Sequence, residues 1–389
     1  MARTALDCTP REMLAWGPRP YARASDTLAM RILQICSARE IGGGERHLAD
    51  LANALAGRGH EVFAALSPAS PVRAELRSLP SENIFELPMR NSLNLASALR
   101  LSRFVREHQI EIVHAHVARD YPLAALATGR SQARLVLTRH VLFPLNQIHK
   151  LTLRRTSRVI AVSQAVAASL YTSSIFAAEK IVMIHNGIDI NKFARAPKDP
   201  APGRKLRVGM VGHIAPIKGQ EDFVRAAAIV QTDRDDVEFI IAGEDKSHSR
   251  KNRAPLEKLI GDLKMDRAIT LVGWVDDVAN LLSGLDLFVS PARSEPFGLS
   301  IVEAMAAGVP VVATASEGAR EIIEDKQTGR LVPVGDIQTM ATAIIDLLND
   351  RTERKRLADN ARLSAHEHFS LDKMVERTVQ VYKDAIDRQ

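Results

Sequence analysis

Two glutamates with seven residues between them are the pair in this chain best suited to bind a polar ligand. Glu295 falls in a predicted loop, and Glu303 lies about one turn inside the short helix predicted to follow it. The backbone N–H groups of Phe297, Gly298 and Leu299 lack intrahelical acceptors at that helix start, so they are available to an anion or to hydroxyl oxygens. Because carboxylates accept hydrogen bonds from hydroxyls, the pattern favours a polyhydroxylated ligand. The alternative is that both acids are ordinary surface residues.

Glycine-rich turns precede a predicted helix in each half of the chain. In the first half, Gly43 and Gly44 belong to a run of three glycines before the predicted helix 45–56. In the second half, Lys218 stands just before the predicted helix 220–230. Glycines let a phosphate approach the backbone, a helix start attracts negative charge, and a lysine adds a point charge. The first turn has neither dinucleotide-binding nor P-loop spacing, so the alternative of simple turn chemistry stays open for it.

His114 and His116 lie two residues apart near the end of the predicted strand 110–116. Residues at this spacing share one face of a strand. Three interpretations are open: a histidine that binds a substrate hydroxyl, a packed core histidine, or a metal pair. We see no acidic or cysteine partner nearby, so we expect no metal site.

Length and composition set further limits. A chain of 389 residues favours two domains. The two cysteines, Cys8 and Cys36, provide no disulfide framework, which fits a reducing, cytoplasmic location. No apolar run reaches the roughly 20 residues that cross a bilayer. The net charge of +6 favours anionic ligands or a membrane surface over nucleic acid.

The segment 121–178 contains no aspartate or glutamate. Basic and apolar side chains are interleaved within it, which suits an anionic lipid surface or an anionic acceptor. The alternative is a solvated basic face over ordinary core. We therefore predict a peripheral contact with anionic membrane through residues 130–158.

Strand-like and helical segments alternate in two successive runs, which predicts an α/β protein with two Rossmann-like domains. A segment rich in proline and basic residues, 194–205, separates the runs and is the predicted linker and hinge. The predicted divisions are a flexible N-terminal extension, two Rossmann-like domains and a terminal helix, at 1–29, 30–196, 197–370 and 371–389.

From about Met30 to its C-terminus the sequence resembles the retaining GT-B glycosyltransferases of family 4. The E-x7-E element carries most of the resemblance, and further matches lie at residues 42–46, 114–116, 185–189 and 218–219. The resemblance implies two Rossmann-like domains that face a cleft, an N-terminal acceptor domain and a C-terminal nucleotide-sugar domain, with a C-terminal crossover helix that returns to the N-terminal domain. It also implies sugar transfer from a nucleotide-diphosphate sugar with retained configuration, without a cofactor or a required metal.

The same resemblance implies roles for particular residues. Glu303 would bind the ribose hydroxyls, and Glu295 the sugar hydroxyls. Lys218 would bind the diphosphate, and His116 would approach the donor sugar. The remaining donor-binding positions are Gly43, Gly44, His213, Phe297, Gly298 and Leu299.

One position departs from the family pattern. His213 stands where the family usually has an arginine that shares the diphosphate with the lysine. Histidine is mostly neutral at neutral pH. We therefore expect weaker binding of the diphosphate, or a substitute cation among Arg250, Lys251 and Arg253.

Two other functions remain open alongside a glycosyltransferase. A nucleotide-sugar 2-epimerase shares the two-domain cleft, and a non-catalytic module could bind a sugar nucleotide without transferring it. The basic segment favours an acceptor that is a lipid-linked or cell-envelope glycan, such as lipopolysaccharide, made at the cytoplasmic face of the membrane.

Overall fold

A computed structural model describes residues 29–89, 94–194 and 203–387. The predicted N-terminal extension lies outside the described residues, apart from residue 29. Most of the predicted linker also lies outside them.

Seven parallel strands form the first sheet, in the spatial order β3-β2-β1-β4-β5-β6-β7. The strands are β1 (Arg31–Cys36), β2 (Glu61–Leu66), β3 (Ile84–Glu86), β4 (Ile112–Ala115), β5 (Arg134–Arg139), β6 (Arg158–Ala161) and β7 (Ile181–Met183). The helices of this half are α1 (Gly43–Gly57), α2 (Val72–Glu75), α3 (Leu95–Glu107), α4 (Tyr121–Thr128), α5 (His149–Thr152), α6 (Gln164–Ser173) and α7 (Ile190–Phe193).

Six parallel strands form the second sheet, in the order β10-β9-β8-β11-β12-β13. The strands are β8 (Leu206–Val211), β9 (Val237–Ala242), β10 (Ile269–Gly273), β11 (Leu287–Ser290), β12 (Val311–Thr314) and β13 (Arg330–Val332). The remaining helices are α8 (Gln220–Asp233), α9 (Arg253–Asp262), α10 (Val278–Ser283), α11 (Leu299–Ala306), α12 (Ala319–Ile322), α13 (Ile337–Asn349), α14 (Arg351–His368) and α15 (Leu371–Asp387).

Both sheets are doubly wound, and the order of the strands determines where a ligand can bind. Helices cover the sheets, so the strands are continuous apolar runs, as in β1, where Ile32, Leu33 and Ile35 are fully buried. The strand order reverses between β1 and β4 in the first sheet, and between β8 and β11 in the second. Ligands of such sheets bind beyond the carboxyl ends of the strands at this reversal. The predicted pair of Rossmann-like units is confirmed.

The C-terminal helix α15 returns to the first half of the chain. Met374, Val375 and Tyr382 on α15 are buried in one core with Leu48 and Leu51 of α1. The hydrophobic effect therefore joins this last helix to the N-terminal sheet. The predicted crossover helix is confirmed.

Within the described residues, no helix has both the length and the apolar character that a membrane span would need.

Candidate active site

The loop before α11 and the start of that helix are shaped by glycines. Gly298 has φ 115°, a left-handed conformation that suits glycine, and Leu299 begins the helix immediately after it. A Cβ at Gly318 would lie 2.0 Å from the carbonyl oxygen of Phe297, so only glycine fits beside the loop. In the described part of the chain, no group accepts a hydrogen bond from the N–H groups of residues 297–299. This helix start can therefore donate to a ligand.

Glu303 is buried between the two halves of the molecule. Its side chain points from α11 toward α1, where Arg46 Nη1 lies 3.8 Å from Glu303 Oε1. The residue is only 8% exposed. Burial raises the pKa of Glu303 to about 7, and the positive charges of Arg46 and Lys192 oppose that rise. The carboxyl group to which the resemblance gives the ribose role therefore changes charge near neutral pH.

Glu295 and Lys218 form an ion pair, with 2.5 Å between Lys218 Nζ and Glu295 Oε2. Gly219 has φ 72° and directs the chain into α8, and a Cβ there would lie 2.0 Å from the carbonyl oxygen of Pro291. The lysine is thus fixed at the start of α8, beside the loop that carries the glutamate. The structure brings these two predicted residues together, and an incoming phosphate would compete with Glu295 for Lys218.

The glycine turn of the first half faces the acidic loop of the second half. A Cβ on Gly43 would lie 3.1 Å from Leu299 Cδ1, and a Cβ on Gly44 would lie 3.4 Å from the ring of His140. The start of α1 therefore contacts the start of α11 across the gap. Two helix starts and one lysine converge on the same space, an arrangement that favours a diphosphate.

His114 is a core histidine. Its Nδ1 lies 2.7 Å from Tyr382 Oη on the crossover helix, and its Nε2 lies 2.7 Å from Thr138 Oγ1. Both ring nitrogens have partners and the side chain is fully buried. Of the three interpretations made from the sequence, the packed one fits His114.

His116 lies between the core and the cleft. It is 4% exposed, and its Nε2 lies 2.8 Å from Gln34 Oε1. Its Nδ1 lies 3.4 Å from Nε2 of His140, the residue that follows β5. Burial and the neighbouring histidines hold the pKa of His116 well below the usual range. Its proposed contact with the donor sugar stays a prediction.

His140 is a candidate that sequence reasoning missed. It is half-buried, and its ring borders Gly44 at the start of α1. Burial also holds its pKa well below the usual range. The apolar run 135–137 was the available signal, because a parallel strand there carries its next residues to the same sheet edge as His116.

A cation that was not predicted, Lys246, also lies near His213. The pKa of His213 is lowered by partial burial and by the charges of Lys218 and Lys246. Arg253 is paired with Glu257, at 2.7 Å between Nε and Oε1. Lys246 was not predicted, yet its Nζ donates to the carbonyl oxygen of Ile41 in the first half and lies 4.7 Å from the centroid of the Trp274 ring. Lys246 is therefore a further candidate for the substitute cation.

Glu321 of α12 joins the two halves at a second place. Its carboxylate accepts hydrogen bonds from the backbone N–H groups of Gln164 and Ala165 at the start of α6, at 2.8 and 2.9 Å. His185 Nε2 lies 3.3 Å from the same carboxylate. A carboxylate at a helix start is favourable, so this contact stabilises the observed closure.

The acid-free segment separates into buried and exposed parts. Leu145 and Leu153 are buried in the core, and β5 runs through the segment. Between residues 130 and 158, the exposed large apolar side chains are Val141 (37% exposed), Phe143 (71%), Ile148 (66%) and Leu151 (74%). The exposed basic side chains there are Arg130, Lys150, Arg154 and Arg155. The segment therefore combines ordinary core with an exposed surface that is both basic and apolar, and its contact with a membrane stays a prediction.

Comparisons with known proteins agree with this architecture. The family described as Glycosyl transferases group 1 matches residues 192–364, and Glycosyltransferase Family 4 matches residues 41–192. A phosphatidyl-myo-inositol mannosyltransferase of Mycolicibacterium smegmatis is 30% identical over 360 residues, which cover 87% of this chain and 89% of that protein. The lipopolysaccharide core biosynthesis glycosyltransferase LpsE of Rhizobium meliloti is 27% identical over 345 residues, with 87% and 95% coverage.

Among solved structures, HepE of Anabaena in complex with UDP-glucose superposes with a TM-score of 0.80. It is 24% identical in sequence, and the match covers 91% of this chain and 99% of that one. This similarity shows the same two-domain fold. The chain is therefore a glycosyltransferase with the GT-B fold, and it belongs to the group 1 glycosyltransferases.

Proposed function

We propose that this glycosyltransferase transfers a sugar from a nucleotide-diphosphate sugar to an acceptor hydroxyl, with retained anomeric configuration and without a required metal. One arrangement carries the proposal. The Glu295–Lys218 pair and the free N–H groups of α11 face the glycine turn of α1 across a single gap. The fold relative HepE was crystallised with UDP-glucose, which supports a donor of this class.

The chemistry of the leaving group fits these residues. Departure of the sugar leaves negative charge on the diphosphate, and fixed donors aimed at such charge stabilise the transition state. Lys218 and the helix starts of α1 and α11 supply those donors. In this proposal they stabilise the negative charge on the leaving diphosphate, which a metal ion stabilises in other enzymes.

Retention in this proposal needs no covalent enzyme intermediate. The departing phosphate oxygen takes the proton of the acceptor hydroxyl, and the hydroxyl oxygen attacks the same face of the sugar that the phosphate leaves. Glu295 then has the role of holding sugar hydroxyls. This agrees with its ion pair to Lys218, because a paired carboxylate is a weaker nucleophile.

The acceptor in this proposal is a lipid-linked or cell-envelope glycan. The mannosyltransferase of M. smegmatis carries phosphatidyl-myo-inositol in its name, and LpsE is named for the lipopolysaccharide core. In this chain, Phe143 and Leu151 protrude among exposed basic side chains. Apolar side chains that enter the interface, beside cations that face anionic headgroups, are the means by which peripheral proteins bind membranes.

A panel of nucleotide sugars tests the proposal. Released nucleoside diphosphate is measured with and without lipid acceptors, in buffer with and without a chelator, and NMR of the product gives the anomeric configuration. We expect acceptor-dependent release, a retained configuration and full activity in chelator. Lys218→Ala should lower kcat about 100-fold, whereas Lys258→Ala on the exposed face of α9 should not. Acceptor-independent conversion of the nucleotide sugar would instead indicate an epimerase, and inversion or loss of activity in chelator would overturn the proposed mechanism.

A further inference from the structure

Three histidines converge beneath the glycine turn of α1. His47 comes from α1, His116 follows β4 and His140 follows β5. One ring nitrogen of each lies within 4.8 Å of the others. The ring centroids are 5.6, 4.8 and 5.7 Å apart. We propose that these three histidines bind one Zn²⁺ ion, and that the bound ion inhibits sugar transfer.

The distances suit a tetrahedral zinc ion. With Zn–N bonds of about 2.0–2.1 Å, two ligand nitrogens on a tetrahedral ion lie roughly 3.3 Å apart. His116 Nδ1 and His140 Nε2 are 3.4 Å apart, so this pair already has the required separation. The three nitrogens lie within 4.8 Å of one another, so zinc binding requires the group to close by up to about 1.5 Å.

The tautomer of His116 is also the one that a metal requires. Its Nε2 lies 2.8 Å from Gln34 Oε1, an oxygen that can only accept a hydrogen bond. The proton is therefore on Nε2, and the lone pair is on the Nδ1 that faces His140. Histidines that bind metals are typically oriented by a second hydrogen bond of this kind.

His47 supplies an independent observation. Its side chain is buried, and in the described structure neither its Nδ1 nor the Oδ1 of the adjacent Asn186 makes a hydrogen bond of normal geometry, although the two side chains interact weakly. An unpaired polar atom in the core is unfavourable. A metal ion beside the His47 ring would relieve this cost. His114 is not a ligand in this proposal, because Tyr382 and Thr138 occupy both of its nitrogens.

An ion can reach the three histidines past His140. It is half-buried and borders Gly44, so an ion can enter from the cleft. His116 is predicted to approach the donor sugar, and a zinc ion bound to its Nδ1 and to His140 would restrain it from that contact. Only this inhibitory effect rests on the proposed function, and binding of the ion does not.

Cobalt serves as a spectroscopic probe of the site. The metal-free full-length protein is titrated with Co²⁺, and visible absorption of four-coordinate cobalt is recorded. We expect saturation at about one Co²⁺ per chain and displacement by Zn²⁺, since both ions accept tetrahedral nitrogen sites. His47→Gln and His140→Gln should abolish the absorption, whereas His366→Gln, at an exposed position on α14, should retain it. Thermal melts show that each variant is folded, and absorption that is missing in the wild type or persists in both cluster variants overturns the site.

The inhibitory effect is tested separately. Added Zn²⁺ should lower the transfer rate of the wild type, and a chelator should restore it. His47→Gln should lose this zinc sensitivity, measured relative to its own metal-free rate. Binding of Co²⁺ without inhibition by Zn²⁺ would overturn the inhibitory role. Absence of any transfer by the metal-free wild type would contradict the proposed function and leave the binding result standing.

Discussion

Arg46 Nη1 lies 3.8 Å from Glu303 Oε1, and this contact joins α1 of the first half to α11 of the second. Both residues border the gap between the sheets, and Glu303 is the more buried of the two. The pKa of Glu303 is raised to about 7. Arg46 at 3.8 Å therefore offsets only part of the free-energy cost of burying the carboxylate. A carboxyl group whose charged form is destabilised by burial suggests a role in binding a ligand.

The raised pKa makes Glu303 a source of instability at alkaline pH. Its pKa is about 7 in the folded state, against an ordinary value of 4.5. The unfolded chain therefore releases the proton more easily, and the folded state loses stability as pH rises from about 4.5 through 7. Glu303→Gln should raise the free energy of unfolding by roughly 1–3 kcal/mol at pH 8 and by much less at pH 5. Urea denaturation at both pH values measures this, and equal effects at the two pH values would contradict it.

Replacing His213 tests the departure from the family pattern. His213 is neutral at pH 7 because its pKa is lowered by partial burial and by Lys218 and Lys246. His213→Arg adds a permanent positive charge near the proposed diphosphate, so it should tighten donor binding about tenfold, or ~1.4 kcal/mol. Calorimetry with the best nucleotide sugar is the measurement. Unchanged or weaker binding would show that Lys246 or another cation already supplies the positive charge beside the proposed diphosphate.

Tyr382 is predicted to anchor the crossover helix through a buried hydrogen bond. Its hydroxyl lies 2.7 Å from His114 Nδ1, and both side chains are fully buried. Tyr382→Phe leaves that ring nitrogen without its partner, which should lower the free energy of unfolding by about 1–3 kcal/mol. Tyr171→Phe is the matched control, because Tyr171 is exposed on α6. Equal stability of the two variants in urea would show that the hydrogen bond contributes nothing.

The exposed side chains of the acid-free segment predict membrane binding. Phe143→Ser combined with Leu151→Ser should weaken sedimentation with anionic vesicles by about tenfold or more, since burial of each side chain contributes about 1.5–3 kcal/mol. Leu363→Ser is the control, because Leu363 is similarly exposed, at 68%, but lies on α14. If the double variant and the control bind vesicles equally, the segment is not the membrane surface.

The sequence was most informative where local pattern determines structure. Strands β1, β2, β8 and β9 are recognisable from the sequence, because a strand buried on both faces is a continuous apolar run ended by polar residues. The start of α11 was also predicted from a local pattern, because Gly298 directly precedes the helix. Strand β5 was not predicted, because its segment was interpreted by its basic charge and not by its short apolar run. His140, which directly follows β5, was therefore not predicted either.

Contacts between distant segments were not predictable from the sequence. Neither the ion pair of Lys218 with Glu295 nor the contact of Lys246 with Ile41 has a local pattern. The same holds for His47, which meets His116 and His140 only after α1, β4 and β5 assemble. Such contacts depend on how the sheets are ordered and how the two halves close, and residue spacing along the chain does not encode either.

Glu303 is predicted to bind the ribose of a nucleotide sugar, and donor affinity at pH 8 is the decisive measurement. Calorimetry should compare the wild type, Glu303→Gln and the control Glu324→Gln, whose side chain is exposed beyond α12. We expect Glu303→Gln to bind the donor roughly 100-fold more weakly, or about 2.7 kcal/mol, since hydrogen bonds from ribose to a charged group are lost. Because the same variant should be more stable at this pH, unfolding cannot explain the loss. Donor affinity in Glu303→Gln equal to that of the wild type would show that Glu303 does not bind the ribose.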